Sequence, residues 1–390
     1  METMTPHLPN RLLIWGRKLR VLTYKEFLQL SRDAILLVFI FYAFTVDIYL
    51  AGSGVSLQVK RASTVVHDAD HSYSSRELIH RFRLPYFRLD GEVQSGREGM
   101  QLLDKGQTTI VLDIPPRFQE ALLKGEATSV QMQVDATNSV IGLLASSYGE
   151  TIVGQFGLES GLARLGLGTD GLKNVPVIED EHRIWFNPNQ NDAWFMAITE
   201  LLTIITLFAI LLPATAMARE KEKGTVEQLL VSPLSPFQIL LPKVLSMTAV
   251  ILAGTALSLF AILVLIFHVP IKGSLLLFFA ITTFYSITMA GIGLFIATIA
   301  RNLAQVGMLT VLVFAPMIFL SGSWTPPEAM PAWMRLLMSL SPLHYFTDAC
   351  LGILLKGAGL GLVWDSVLGI LLVGGVAFGF GLWRFRKQFE

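Results

Sequence analysis

Six stretches of this chain, at about 34–52, 194–216, 242–267, 274–299, 303–322 and 364–383, are almost continuously apolar. A helix of about 20 such residues crosses the hydrocarbon core of a bilayer. In lipid, every backbone amide and carbonyl must find its partner within the segment, so these stretches are constrained to be helices. Composition agrees: 52% of the 390 residues are hydrophobic and only 15% are charged, against roughly 25% charged in soluble domains. The expected fold is an α-helical polytopic membrane protein with six transmembrane helices. Only the turn 268–273 separates the third from the fourth, and only Arg301 and Asn302 separate the fourth from the fifth.

Charge placement orients these helices. Arg11, Arg17, Lys18, Arg20, Lys25 and Arg32 precede the first span, and Arg219, Lys221, Lys223 and Lys243 lie between the second and third. Arg301 follows the fourth, and Arg384, Arg386 and Lys387 close the chain. All fall on one side if both termini are cytoplasmic, as the positive-inside rule requires. The short outer turn keeps only Lys272. The first apolar run has no small-residue cleavage site after it, so it reads as a retained span. Residues 11–30 alternate basic and apolar side chains, which suits an amphipathic helix at the cytoplasmic interface; a plain basic anchor is the alternative. Thirty basic residues balance thirty acidic ones, so no global field draws in nucleic acid. The single cysteine, Cys350, excludes an internal disulfide framework.

Residues 53–190 interrupt the apolar pattern and read as an outer, periplasmic domain, inserted between the first and second spans. At about 138 residues it is long enough to bury its own core. Strands are expected at 55–67, 108–114 and 129–134, and helices at 117–124 and 139–165, with another ending at Gly106. Ser74 and Glu77 have capping-box spacing. This alternation indicates an α/β or α+β domain. His67, Asp68, Asp70 and His71 are its most metal-like cluster, but the spacing fits no established ligand motif and reads as a capped strand-end turn. The run 166–173 has phosphate-loop glycines, yet Leu172 separates Gly171 from Lys173, so it reads as a glycine-rich linker.

The most informative stretch is 218–236, AREKEKGTVEQLLVSPLSP. Thr225 can cap a short helix over 226–231 that Pro233 stops, with Val226, Leu229 and Leu230 as a small apolar stripe. Such a helix between two spans is a peg suited to a groove in a cytoplasmic partner. The pattern resembles the E-x-G-T-x-E-x-L-x-x-x-P signature of ABC type-2 exporter permeases, carried here by Glu222, Gly224, Thr225, Glu227, Leu229 and Pro233. The layout over essentially the whole chain is similar to the large-loop branch of that family. Val65 to Asp70 with Ser74, Ser75 and Arg76, the run Ile114 to Phe118, and Trp185 to Pro188 resemble its periplasmic landmarks. The run Pro236, Phe237, Gln238 departs from the pattern, where an acidic residue is expected.

The resemblance implies that 219–236 carries a coupling helix seated in a separate nucleotide-binding ATPase subunit. Two permeases, identical or different, and two ATPase domains would then form the working unit, with a periplasmic adaptor protein as a further partner. The chain has no Gly-x4-Gly-Lys-Ser/Thr motif. ATP and Mg are accordingly expected on the partner, and this chain is expected to be a transporter subunit with no cofactor of its own, not an enzyme. The implied activity is ATP-driven alternating access in a bacterial inner membrane, exporting small amphiphilic or drug-like compounds. A non-transporting receptor with a periplasmic ligand-binding domain is the rival reading, and it implies no ATPase partner.

Two carboxylates fall inside the apolar spans. Asp47 and Glu200 each lie roughly 8–9 Å below the outer boundary. An ionisable group there faces the bundle interior, water or a partner charge. They are candidates to line the outer part of a substrate path; carboxylates reaching an interface are the alternative. The outer stretch 321–365, broken by Pro326, Pro327, Pro331 and Pro342, suits a re-entrant or interfacial pair of short helices. His344 and Asp348 on one face of the second are read as packing and capping groups.

Overall fold

Helices of 21 residues or more account for most of the apolar sequence in the computed structural model, which describes residues 11–54, 61–137, 139–166, 185–224 and 236–389. Two units emerge: residues 1–55 with 184–390, and residues 56–183.

The first unit is helical. Helix α1 (Arg11–Ser31) leads through a tight turn to α2 (Ala34–Gly54), whose N-terminus is capped by Asp33 accepting from the Leu36 amide at 3.0 Å. In the same unit, α7 (Asp192–Glu222) is followed by α8 (Phe237–Val264), α9 (Leu275–Ile299), α10 (Leu303–Phe319), the short α11 (Ala332–Met338), α12 (Pro342–Leu351) and α13 (Leu360–Lys387). Five of these, α2, α7, α8, α9 and α13, are long and apolar enough to cross a membrane. The sixth expected span, 303–322, instead forms the 17-residue α10, with Pro316 near its end. At about 25 Å it falls short of a typical hydrocarbon core.

Helix α7 is the centre of this unit. Of its most apolar 18-residue window, 72% is buried within the molecule, against 22% for α2 and for α13. It packs against α2, α8, α9, α10 and α12. Its contact with α9 depends on Gly293, where a Cβ would stand 2.2 Å from the Ile210 carbonyl oxygen. Small residues at such crossings let helices approach where the hydrophobic effect gives no help. Thr206 spends its hydroxyl proton on Leu202 O, 2.8 Å away, so the buried Tyr285 phenol of α9 is the donor in the 3.0 Å bond to Thr206. The Tyr285 ring stacks on Phe346 of α12, tying a third helix to the same point.

α-Helical winding loosens to π-helix at Ala43–Asp47 in α2 and at Ser258–Val264 in α8. The two stretches meet where the Ser258 hydroxyl donates to the Phe44 carbonyl. Single π turns inside long helices are frequent at functional sites.

The second unit is α/β. Strands β1 (Ala62–Asp68), β2 (Phe87–Glu92), β3 (Ile110–Ile114) and β4 (Gln131–Val134) form a sheet in the order β2-β1-β3-β4, parallel but for the last pair. Helices α3 (Tyr73–Arg81), α4 (Gly96–Asp104), α5 (Phe118–Lys124) and α6 (Ser139–Arg164) cover it. Side chains of a strand alternate between faces, and the two cores follow that parity. Val66, Ile110, Leu112 and Ile114 join Leu78, Phe82, Phe118 and Phe156 on one face. Val65 and Val111 meet Leu102 and Leu103 on the other.

Residues 55–60 of the expected strand 55–67 lie outside the described residues, and the other expected strands and helices of this unit are present within a few residues, with two differences. The capping box belongs to Ser72 and Ser75, not to Ser74 and Glu77, and α3 begins at Tyr73. The cause is Asp68, which accepts from the amides of Asp70 and His71 and from the Ser75 hydroxyl, tightening the turn so that the helix opens two residues earlier. Strand β2 has no counterpart in the sequence reading.

Candidate functional site

The last turn of α7 is charged at every position: Arg219, Glu220, Lys221 and Glu222. A 31-residue helix is about 46 Å long, so this turn lies beyond the apolar part. Successive side chains of an α-helix point about 100° apart, so four in a row cover its circumference. Here each engages a different element.

Arg219 pairs with Asp33, the residue that caps α2. Glu220 accepts from Lys243 of α8 at 2.7 Å and from Lys25 of α1 at 3.1 Å. Lys243 also donates to Glu26 of α1 at 2.8 Å. Lys243, Glu220 and Glu26 are 1%, 3% and 4% exposed, so this is a buried ion cluster. Breaking such a cluster by removing one member costs far more than an exposed pair is worth. Lys221 donates to the Ala297 carbonyl at the C-terminal end of α9. Glu222 accepts from the Leu303 amide, the first of α10, at 2.8 Å. A cation on the last carbonyls of one helix and an anion on the first amide of the next complement both helix dipoles.

Outside the spans, Asp33 and Lys25 are shifted to favour their charged forms. The Leu36 amide, aided by Arg219, holds the Asp33 carboxyl below the ordinary carboxylate range against some opposing desolvation. Burial of Lys25 pulls its ammonium down, but Glu220 and Glu26 together outweigh that and raise it.

The helix ends at Gly224, with φ +66°, its amide donating to Lys221 O. A left-handed residue after the final turn is the usual helix stop, and glycine adopts it without a Cβ penalty. Of the signature residues, Glu222 and Gly224 therefore lie in this site. Thr225, Glu227, Leu229 and Pro233, and with them the expected short helix, lie outside the described residues, as does most of the 166–173 linker. Sequence reasoning used Arg219, Lys221 and Lys243 only to orient the chain, and it missed Glu26, Asp33 and Glu220. The signal available was the density of acidic residues among the basic ones.

The other expected positions are distributed as follows. Asp47, in the π-helical stretch of α2, and Glu200, on α7, are both half-buried. His67 Nδ1 lies 2.9 Å from Asp113 Oδ1, its direct neighbour across the β1–β3 pair. Asp70 accepts from the Gln119 amide of α5. The four residues 67, 68, 70 and 71 therefore serve strand pairing and turn capping. His344 and Asp348 share α12 but not a partner: His344 meets the Ser321 carbonyl, and Asp348 accepts from Ser366.

Comparison with known proteins places this architecture in context. A family model described as ABC-2 family transporter protein matches residues 34–384. The chain is 35% identical over 363 residues to the inner membrane transport permease YhhJ of Escherichia coli K12, covering 93% of this chain and 95% of that one. It is 29% identical to the probable multidrug ABC transporter permease YbhR of the same organism, covering 91% and 95%. To the probable multidrug ABC transporter permease YbhS it is 27% identical, covering 89% and 91%.

Proposed function

The chain belongs to the ABC-2 family of transporter proteins, and from that premise we propose that the last turn of α7 is where a partner ATPase drives this permease. The observation that carries the reading is that residues 219–222 hold α1, α2, α8, α9 and α10 at once, at the point where the signature begins. In this reading the segment 225–233 docks in the nucleotide-binding subunit, which carries ATP and Mg. Gly224 is the joint, and Glu222, Thr225, Glu227, Leu229 and Pro233 carry the contact. Closure of the ATPase on ATP displaces the segment. The end of α7 passes that displacement to five neighbours together, the concerted movement that alternating access requires.

The termini are assigned to the cytoplasm and residues 56–183 to the periplasm, on the distribution of Lys and Arg. Helix α10 completes six spans as a short helix accommodated by local thinning or by tilt of its neighbours. Two permeases and two ATPase domains form the working unit, and the outer domain meets substrate or an adaptor. Asp47 and Glu200 mark the outer part of the path. Two half-buried carboxylates within apolar helices favour a cationic, amphiphilic cargo, and the multidrug names of YbhR and YbhS support that class. The direction of transport is outward.

The test is a pull-down of the tagged permease in mild detergent, with ATPase activity assayed on the eluate. An ATPase that accompanies the parent and is lost with Glu227→Ala or Gly224→Pro supports the docking site. An intact permease that captures no ATPase under several mild conditions overturns it in favour of the receptor reading.

A further inference from the structure

A second feature lies on the other side of Arg219. A cleft of about 650 Å³ opens between the end of α1, the turn into α2 and the end of α7. Lys25, Arg32, Arg219 and Lys223 line it, with Asp33 as the one carboxylate. Two of the four cations are already engaged, Lys25 by Glu220 and Arg219 by Asp33. Arg32 and Lys223 have no ion-pair partner among the described residues, and both are exposed. The cleft therefore presents two uncompensated cations backed by two more.

Its rim is apolar. Leu28 and Ile35 also line it, and Ile35 is 85% exposed. From Ile35 the exposed surface of α2 continues through Val38 and Tyr42, along one face of the helix. On α1, Val21, Tyr24 and Leu28 are exposed with the spacing of a single stripe. A basic cleft that opens onto lengthwise apolar surface matches an amphiphile with an anionic head and hydrocarbon tails.

We propose that this cleft binds the phosphate headgroup of an anionic membrane lipid, such as phosphatidylglycerol or cardiolipin, with its acyl chains along Ile35 and Val38. Arg32 and Lys223 contact the phosphate, and Arg219 and Lys25 supply the field behind them. Basic pockets beside spanning helices recognise anionic headgroups in this way. A free phosphate shares the head chemistry but makes no use of the apolar rim. The inference rests on the chain spanning a bilayer and not on the transport reading.

The test uses the full-length permease, purified in mild detergent and exchanged into nanodiscs of phosphatidylcholine containing graded phosphatidylglycerol or cardiolipin. Bound lipid is counted by native mass spectrometry after release. The parent is expected to retain anionic lipid in preference to phosphatidylcholine. Arg32→Gln with Lys223→Gln should reduce that preference about tenfold or more, and Arg32→Lys with Lys223→Arg should restore it. Thermal unfolding of each variant shows whether the fold is kept, and a misfolded double variant is replaced by Arg32→Gln alone, with about threefold loss expected.

Three results would overturn the proposal. One is equal retention of the two lipid classes by the parent, or unchanged preference in the folded variants. A second is displacement of lipid by millimolar glycerol 3-phosphate, which would make the site one for a free phosphate. The third is loss of a copurifying ATPase with lipid preference intact, which would make the cleft a protein dock. Lipid is counted on the permease alone and the ATPase arm is a separate pull-down, so failure of the lipid arm leaves the transport reading untouched.

Discussion

Lys221 and Glu222 are adjacent in the chain and grip the two sides of one tight connection. The first holds the carbonyl end of α9 and the second the amide end of α10, across the link made by Arg301 and Asn302. In the proposed mechanism, movement of the end of α7 is thereby delivered to both helices at once. The signature glutamate thus has a structural task in addition to any contact with a partner.

Glu222→Ala removes the acceptor for the Leu303 amide. The expected loss is about 1 kcal/mol, the cost of deleting a helix cap, with a larger fall in transport than in stability. Glu222→Gln keeps an acceptor and should lose less of both. Thermal unfolding in detergent and a dye-efflux assay on the paired transporter check the split.

Lys243→Met removes the buried cation between Glu26 and Glu220 and leaves them only the half-exposed Lys25. A destabilisation of about 3–5 kcal/mol is expected. Adding Glu26→Leu and Glu220→Leu should recover much of it, because a well-packed apolar set replaces a buried ion cluster at little cost. Recovery of the unfolding midpoint without recovery of transport would assign the cluster to function.

Asp33 gives a pH signature. Its folded carboxyl binds its proton less readily than the unfolded value of 3.8, so its contribution is complete above that value and fades as pH falls through the lower folded one. The stability difference between the parent and Asp33→Asn should be level from pH 8 to about 5 and shrink only below about 4. A difference that changed between pH 6 and 8 would show that another group controls this turn.

Gly224→Val forces a β-branched side chain into the left-handed region. A cost of about 1–2 kcal/mol is expected. The helix should avoid it by running on past residue 224, so that ATPase capture falls while the long spans stay folded. Circular dichroism and the pull-down measure the two effects separately.

What the sequence made legible follows from the range of the forces involved. The long spans are visible because about 20 apolar residues in a row admit few other folds, and β1 and β3 because they are short apolar runs buried nearly throughout. Strand β2 was not visible: of its six residues only Phe87 is buried, so edge pairing with β1 and not hydrophobic pattern makes it a strand. The ion cluster was hidden for a different reason. Lys25 and Glu220 are 195 residues apart, and Glu26 and Lys243 are 217 apart, so only helix packing reveals that they meet. Within the signature, Gly224 was legible as a motif position, while its reason, a left-handed helix stop, is a property of the backbone.

The most direct test of the central claim is the number of ATP molecules hydrolysed per substrate moved, in proteoliposomes holding the permease with its ATPase. It should be compared between the parent and the double variant Lys221→Met, Glu222→Ala. The expected result is an ATPase that still binds and hydrolyses while transport falls at least about tenfold, so that hydrolysis runs uncoupled. Equal coupling in the two proteins would contradict the assignment of the last turn of α7 as the point of transmission.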